Sequence, residues 1–90
     1  MIIERQSLKD VLLLKPKVIN DDRGCFFESY KESLFEEIGL SLKFVQDNEV
    51  RSNNAGTLRG LHYQLEKPQG KLIHVVSGAI KDVAVDIRTN

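Results

Sequence analysis

The stretch Asp82-Val83-Ala84-Val85-Asp86-Ile87-Arg88 decides how the chain is read. Val83, Val85 and Ile87 fall on one side of an extended segment, and Asp82, Ala84, Asp86 and Arg88 on the other. This period of two is that of a β-strand with one face buried. Upstream, Leu72, Ile73, Val75 and Val76 run into Ser77-Gly78, which reads as a hairpin tip. Pro68-Gln69-Gly70 is a turn before that run, and Thr57 to Gln64 is a further strand following the turn Asn53-Asn54-Ala55-Gly56. Short strands and turns at this spacing indicate an all-β sandwich or barrel.

The first half of the chain fits the same plan with one interruption. Val11 to Leu14 form an apolar run suited to a buried strand, and Pro16 marks an edge or a bend. Asn20-Asp21-Asp22-Arg23-Gly24 is a turn cluster, because short polar side chains and glycine accommodate tight backbone geometry. Phe26, Glu28 and Tyr30 then alternate with Phe27 and Ser29 as a strand with a ligand-facing side would. The interruption is one short helix. Ser29-Tyr30-Lys31-Glu32 has capping-box spacing, Leu34, Phe35 and Ile38 share a helical face, and Gly39 sits where a left-handed C-terminal cap belongs.

Ninety residues allow a single domain, 1–90. A chain of this size buries only about 60–65% of the surface its unfolded form exposes, so its core is thin unless a partner completes it. Thirteen basic and thirteen acidic residues balance to a formal charge of zero, which argues against a nonspecific nucleic-acid binder. No apolar run approaches the roughly 20 residues that span a bilayer. The charged start Met1-Ile2-Ile3-Glu4-Arg5 puts charge where a secretion signal would need its apolar stretch, and a cytoplasmic protein is expected. The lone Cys25 has no internal disulfide partner and reads as a strand residue.

Polar residues between Phe44 and Gly78 carry the chemistry. Gln46, Asn48, Arg59, His62, Tyr63, Gln64 and Lys71 are interleaved with glycine and apolar residues, which suits either a barrel mouth holding a ligand or the outer surface of a β-domain. On a strand, His62 shares its face with Gly60, whose missing side chain leaves room for a ligand or another backbone. Histidine titrates near neutrality and can take up and return a proton; the alternative is a structural histidine with a hydrogen-bond partner. A metal site is disfavoured. The residue two along from His62 is Gln64, and His74 lies in an apolar run that suits a structural role. Lys71 is either a solvated edge residue or a cation aimed at an oxygen that becomes an enolate. Arg59 is either a surface ion-pair partner or a phosphate ligand, for which its planar fork is suited.

At these residues the chain resembles the dTDP-4-dehydrorhamnose 3,5-epimerases. The resemblance rests on Phe44-Val45-Gln46-Asp47-Asn48, on Gly56-Thr57-Leu58-Arg59-Gly60-Leu61-His62-Tyr63-Gln64, on Gly70-Lys71-Leu72 and on Asp82 to Arg88. Asp22-Arg23-Gly24 with Phe26-Phe27-Glu28 matches an earlier motif. It implies a jelly-roll (cupin-type) double-stranded β-helix, present in part, with no metal or organic cofactor. It further implies a homodimer formed by strand exchange and a substrate, dTDP-4-dehydro-6-deoxyglucose, inverted at C3 and C5 on the way to dTDP-L-rhamnose. By position, His62 resembles the catalytic base and Lys71 the lysine near the substrate carbonyl. Arg59 resembles an arginine that holds substrate, Gln46 and Asn48 match positions that line the family's nucleotide site, and Arg23, Phe26 and Glu28 match the segment that in the family reaches a nucleotide partly across the dimer.

Members of that family continue beyond the equivalent of Asn90. The further part holds the tyrosine taken as the opposite-face acid and the aspartate that pairs with the histidine; Tyr30 and Tyr63 match neither. The chain is therefore expected to be half of a larger roll, or to pair its last strand with another chain. The competing expectation is a truncated, catalytically incompetent module that binds a dTDP-sugar or only assembles with other chains.

Overall fold

The computed structural model describes residues 1–88, so the chain end at Asn90 lies outside the described residues. It is β-structure with one short helix, in two compact units: residues 1–31 with the segment from His74 onward, and Glu32–Ile73.

The first unit holds two antiparallel hairpins. Strand β1 (Ile2–Arg5) pairs with β2 (Leu12–Lys15) in the register Ile2↔Lys15, Ile3↔Leu14, Glu4↔Leu13 and Arg5↔Leu12. The pleat sends Ile3, Leu12 and Leu14 to one face, where they are half-buried. Ile2, Glu4, Leu13 and Lys15 lie on the exposed face, where the Lys15 ammonium is 2.9 Å from the Glu4 carboxylate, a diagonal cross-strand pair. The apolar run expected as a strand is thus β2, shifted by one residue. Its partner β1 comes from the opening residues, whose two adjacent isoleucines hide the alternation.

Strand β3 (Ile19–Asp21) pairs with β4 (Gly24–Phe26) across the turn Asp22-Arg23. Asp21 is why the chain turns here: its Oδ1 accepts from the Arg23 backbone N–H at 2.8 Å, an Asx-type closure. Gly24 follows at φ 141°, a conformation that L side chains rarely adopt. Cys25 is an exposed residue of β4. The strand expected to run on to Tyr30 ends at Phe26.

The second unit is organised around α1 (Glu32–Glu37), whose Phe35 is 1% exposed and the one fully buried side chain among the described residues. Removing a phenylalanine from water contributes about 2–3 kcal/mol, which a helix this short needs. The helix ends at the expected place. Gly39 adopts φ 86°, its N–H donates to the Glu36 carbonyl at 3.0 Å, and the Leu40 N–H donates to the Phe35 carbonyl at 2.8 Å. This paired closure is the Schellman arrangement, and it uses carbonyls the helix leaves open.

The later strand expectations differ from what is observed. Thr57 to Gln64, Leu72 to Val76 and Asp82 to Arg88 form no ladder among the described residues. The apolar side chains of these three segments are exposed, Leu58 at 91% and Val85 at 59%. A period-two pattern specifies which face of a strand is apolar. The ladder itself requires a neighbour's N–H and C=O groups, and among the described residues these segments have none.

Candidate active site

His62, Arg59, Lys71, Gln46 and Asn48 all belong to the second unit. Gly60 sets the surroundings of His62. It has φ 105°, and a methyl group placed on it would stand 3.6 Å from the His62 backbone nitrogen and 3.7 Å from its Nδ1. An added methyl would thus lie in ordinary contact with His62, although residues 57–64 form no strand whose face the two would share. His62 itself is exposed, and no barrel closes around it among the described residues.

Arg59 is held by its own loop. Its Nη2 donates to Ser52 Oγ at 3.2 Å and to the Arg51 carbonyl at 3.5 Å. The intervening chain is folded back by Thr57, whose hydroxyl donates to the Asn54 carbonyl at 2.8 Å. Gln46 and Asn48 meet: the Gln46 amide donates to Asn48 Oδ1 at 3.2 Å. Two residues apart, such side chains share a side of an extended chain. Lys71 is exposed, and no hydrogen bond or ion pair joins it to His62 or Arg59 among the described residues.

In the first unit, Arg23 sits at the tip of the β3–β4 hairpin with its Nη2 2.7 Å from Asp21 Oδ2. The guanidinium holds the Asp21 carboxyl below the usual carboxylate range, helped by the backbone N–H of Arg23. Phe26 ends β4 with 65% of its surface exposed, and Glu28 is exposed just beyond it. His74, itself exposed, meets Phe27 edge-on, with ring centroids 5.9 Å apart at 75°.

Sequence reasoning missed two supporting residues. Ser52 and Asp21 each fix a candidate arginine, and Asp21 was recognisable only as a turn former. A serine seven positions before its arginine leaves no periodic signal, because the bond depends on loop closure. Among the described residues no group of three or more His, Cys, Asp or Glu is arranged to hold a metal ion, and no helix is long and apolar enough to cross a membrane.

His62, Arg59 and Lys71 thus lie within one short stretch of the chain without being joined by a hydrogen bond or ion pair among the described residues. Residues 5–90 match the family model described as dTDP-4-dehydrorhamnose 3,5-epimerase. Curated proteins of that name resemble the chain closely. That of Methanothermobacter thermautotrophicus is 52% identical over 86 residues, covering 96% of this chain and 46% of the relative. That of Pseudomonas aeruginosa is 53% identical over 85 residues, covering 93% and 46%. That of Escherichia coli K12 is 51% identical over 92 residues, covering 100% and 49%. No solved structure matches the chain. The chain belongs to the dTDP-4-dehydrorhamnose 3,5-epimerase family, and it spans about half the length of the curated relatives it matches.

Proposed function

We propose that these residues are the base-bearing half of an epimerase acting on dTDP-4-dehydro-6-deoxyglucose at C3 and C5, in dTDP-L-rhamnose formation. The observation that carries this reading is the segment Gly56 to Gln64, with His62 beside an unobstructed Gly60, inside a family match over residues 5–90. The chemistry is that of a ketone. A hydrogen on the adjacent carbon is acidic because the electron pair it leaves delocalises onto oxygen as an enolate. His62 takes that proton, the Lys71 ammonium stabilises the enolate oxygen, and a second acid delivers a proton to the opposite face of the same carbon. Each element of this kind contributes on the order of 10²-fold or more.

Arg59, Gln46 and Asn48 bind the sugar nucleotide, and Arg23, Phe26 and Glu28 reach a nucleotide across a strand-exchanged homodimer. Both units form one jelly-roll domain of the cupin type. In it, further strands complete the ladders of the segments at 57–64, 72–76 and 82–88 and close over His62, which is exposed here. The protein works in the cytoplasm and uses neither metal nor organic cofactor.

A second reading, binding without turnover, draws on the exposure of His62. Both are tested on the native full-length polypeptide mixed with the 4-keto sugar nucleotide in deuterated water, following hydrogen loss at C3 and C5 by NMR. Exchange at both carbons, reduced about 10²-fold or more in His62→Asn, supports the epimerase. Binding of dTDP in a calorimeter with no exchange establishes the second reading and removes the first.

A further inference from the structure

The geometry points to Ser52 as the positioning residue of Arg59. Both acceptors of the Arg59 side chain, Ser52 Oγ at 3.2 Å and the Arg51 carbonyl at 3.5 Å, lie on the same nitrogen, Nη2. Nε and Nη1 have no hydrogen-bond partner among the described residues. A guanidinium carries five N–H donors in a rigid plane, so anchoring one nitrogen fixes the plane while leaving the other two nitrogens' donors for a ligand. Arginine otherwise loses considerable side-chain freedom when it binds an anion. A loop that bears part of that cost beforehand strengthens binding without touching the ligand.

The anchor is local, and it is built from the loop between the candidate nucleotide-binding residues and His62. Thr57 closes the chain onto the Asn54 carbonyl at 2.8 Å, and Gly56 takes φ 78° within the same turn. The turn brings Arg59 back to the Ser52 hydroxyl seven positions earlier. Of the two anchors only the hydroxyl is open to substitution, since the Arg51 acceptor is a backbone carbonyl.

This inference rests on the reading of Arg59 as a substrate ligand, and its test separates the two. Ser52→Ala, Ser52→Thr, Arg59→Ala and the Ser52→Ala/Arg59→Ala double variant are made in the native full-length polypeptide. KM and kcat are then measured with the 4-keto sugar nucleotide. Loss of one hydrogen bond to a charged partner in an exposed setting is expected to raise KM about 3- to 10-fold with kcat nearly unchanged. Ser52→Thr, which keeps the hydroxyl, restores KM to near the native value, and Ser52→Ala adds nothing in the Arg59→Ala background. A purely structural role for Ser52 would instead add its effect to that of Arg59→Ala. That result, or an unchanged KM in Ser52→Ala where Arg59→Ala raises it, overturns the role of Ser52 alone. An unchanged KM in Arg59→Ala overturns the reading of Arg59 and the inference with it.

Discussion

Arg88 reaches back 78 positions to Asp10: its Nη1 lies 2.9 Å from Asp10 Oδ2, while its Nη2 lies 2.7 Å from Asp86 Oδ2. One planar group thereby ties the segment from His74 onward to the connection between β1 and β2. Asp86 also accepts from the Arg88 Nε and backbone N–H, at 2.9 and 3.0 Å.

These contacts predict a titration. Arg88 lowers the Asp86 carboxyl from 3.8 to about 2, first through its side-chain hydrogen bonds and then through its backbone N–H. A carboxyl depressed in the folded state supports folding above its unfolded pKa and loses that support as pH falls through the folded value. The tie is therefore intact above about pH 4 and released towards pH 2. The Asp86 carboxyl carbon signal followed by NMR should show a midpoint near the low end of that window, and Arg88→Ala should move it back towards the ordinary aspartate value. An unmoved midpoint in Arg88→Ala would remove the assigned cause.

Asp21 neutralises Arg23 at the β3–β4 tip. Asp21→Asn keeps the oxygen that accepts the Arg23 backbone N–H and removes the charge that competes with a diphosphate. If Arg23 meets the nucleotide, dTDP affinity in the native polypeptide should rise about 2- to 5-fold at low salt, the worth of one screened surface charge pair. The gain should shrink as salt is added. Calorimetry at two ionic strengths checks both, and a loss of affinity would contradict the role given to Arg23.

Gly60→Ala meets a backbone problem and no steric one. The added methyl would contact His62 N and Nδ1 at ordinary distances of 3.6 and 3.7 Å, but the residue sits at φ 105°. Holding a non-glycine residue there costs about 1–3 kcal/mol. Urea unfolding should register a loss in that range, and the NMR exchange rate should fall with it as the segment carrying His62 shifts. Native stability in Gly60→Ala would mean that the glycine is not required for its conformation.

Phe35→Ala removes the fully buried ring of the second unit. A cost of about 3 kcal/mol or more is typical for such a truncation. Because α1 is too short to persist without packing, amide protection over residues 32–38 should be lost together with the fluorescence or circular-dichroism transition. Protection that survives the substitution would show that another contact holds the helix.

How far the chain could be read in advance depends on the distance over which each feature is specified. The β3–β4 turn was legible because Asp21 and Gly24 close it locally, through one side-chain acceptor and one unusual φ. The end of α1 was legible for the same reason, since Gly39 supplies the conformation that the Schellman closure requires. The pairing of β1 was not, because Ile2-Ile3 shows no alternation and its register depends on β2. Strand expectations over 57–64 and 82–88 went unmatched: both segments are exposed, and no neighbouring strand pairs with them among the described residues.

The candidate site divides along the same line. The motifs around Gly56–Gln64, Gly70–Leu72 and Asp82–Arg88 carried the resemblance to the family, and with it the candidates His62, Arg59 and Lys71, because these belong to the local chain. Only the tertiary structure decided that Arg59 is anchored by Ser52, that Asp21 takes up the charge of Arg23, and that Arg88 bridges Asp10 and Asp86. Such contacts depend on where folding brings two side chains in space, and a hydrogen bond or ion pair of about 3 Å leaves no periodic mark on the sequence that makes it.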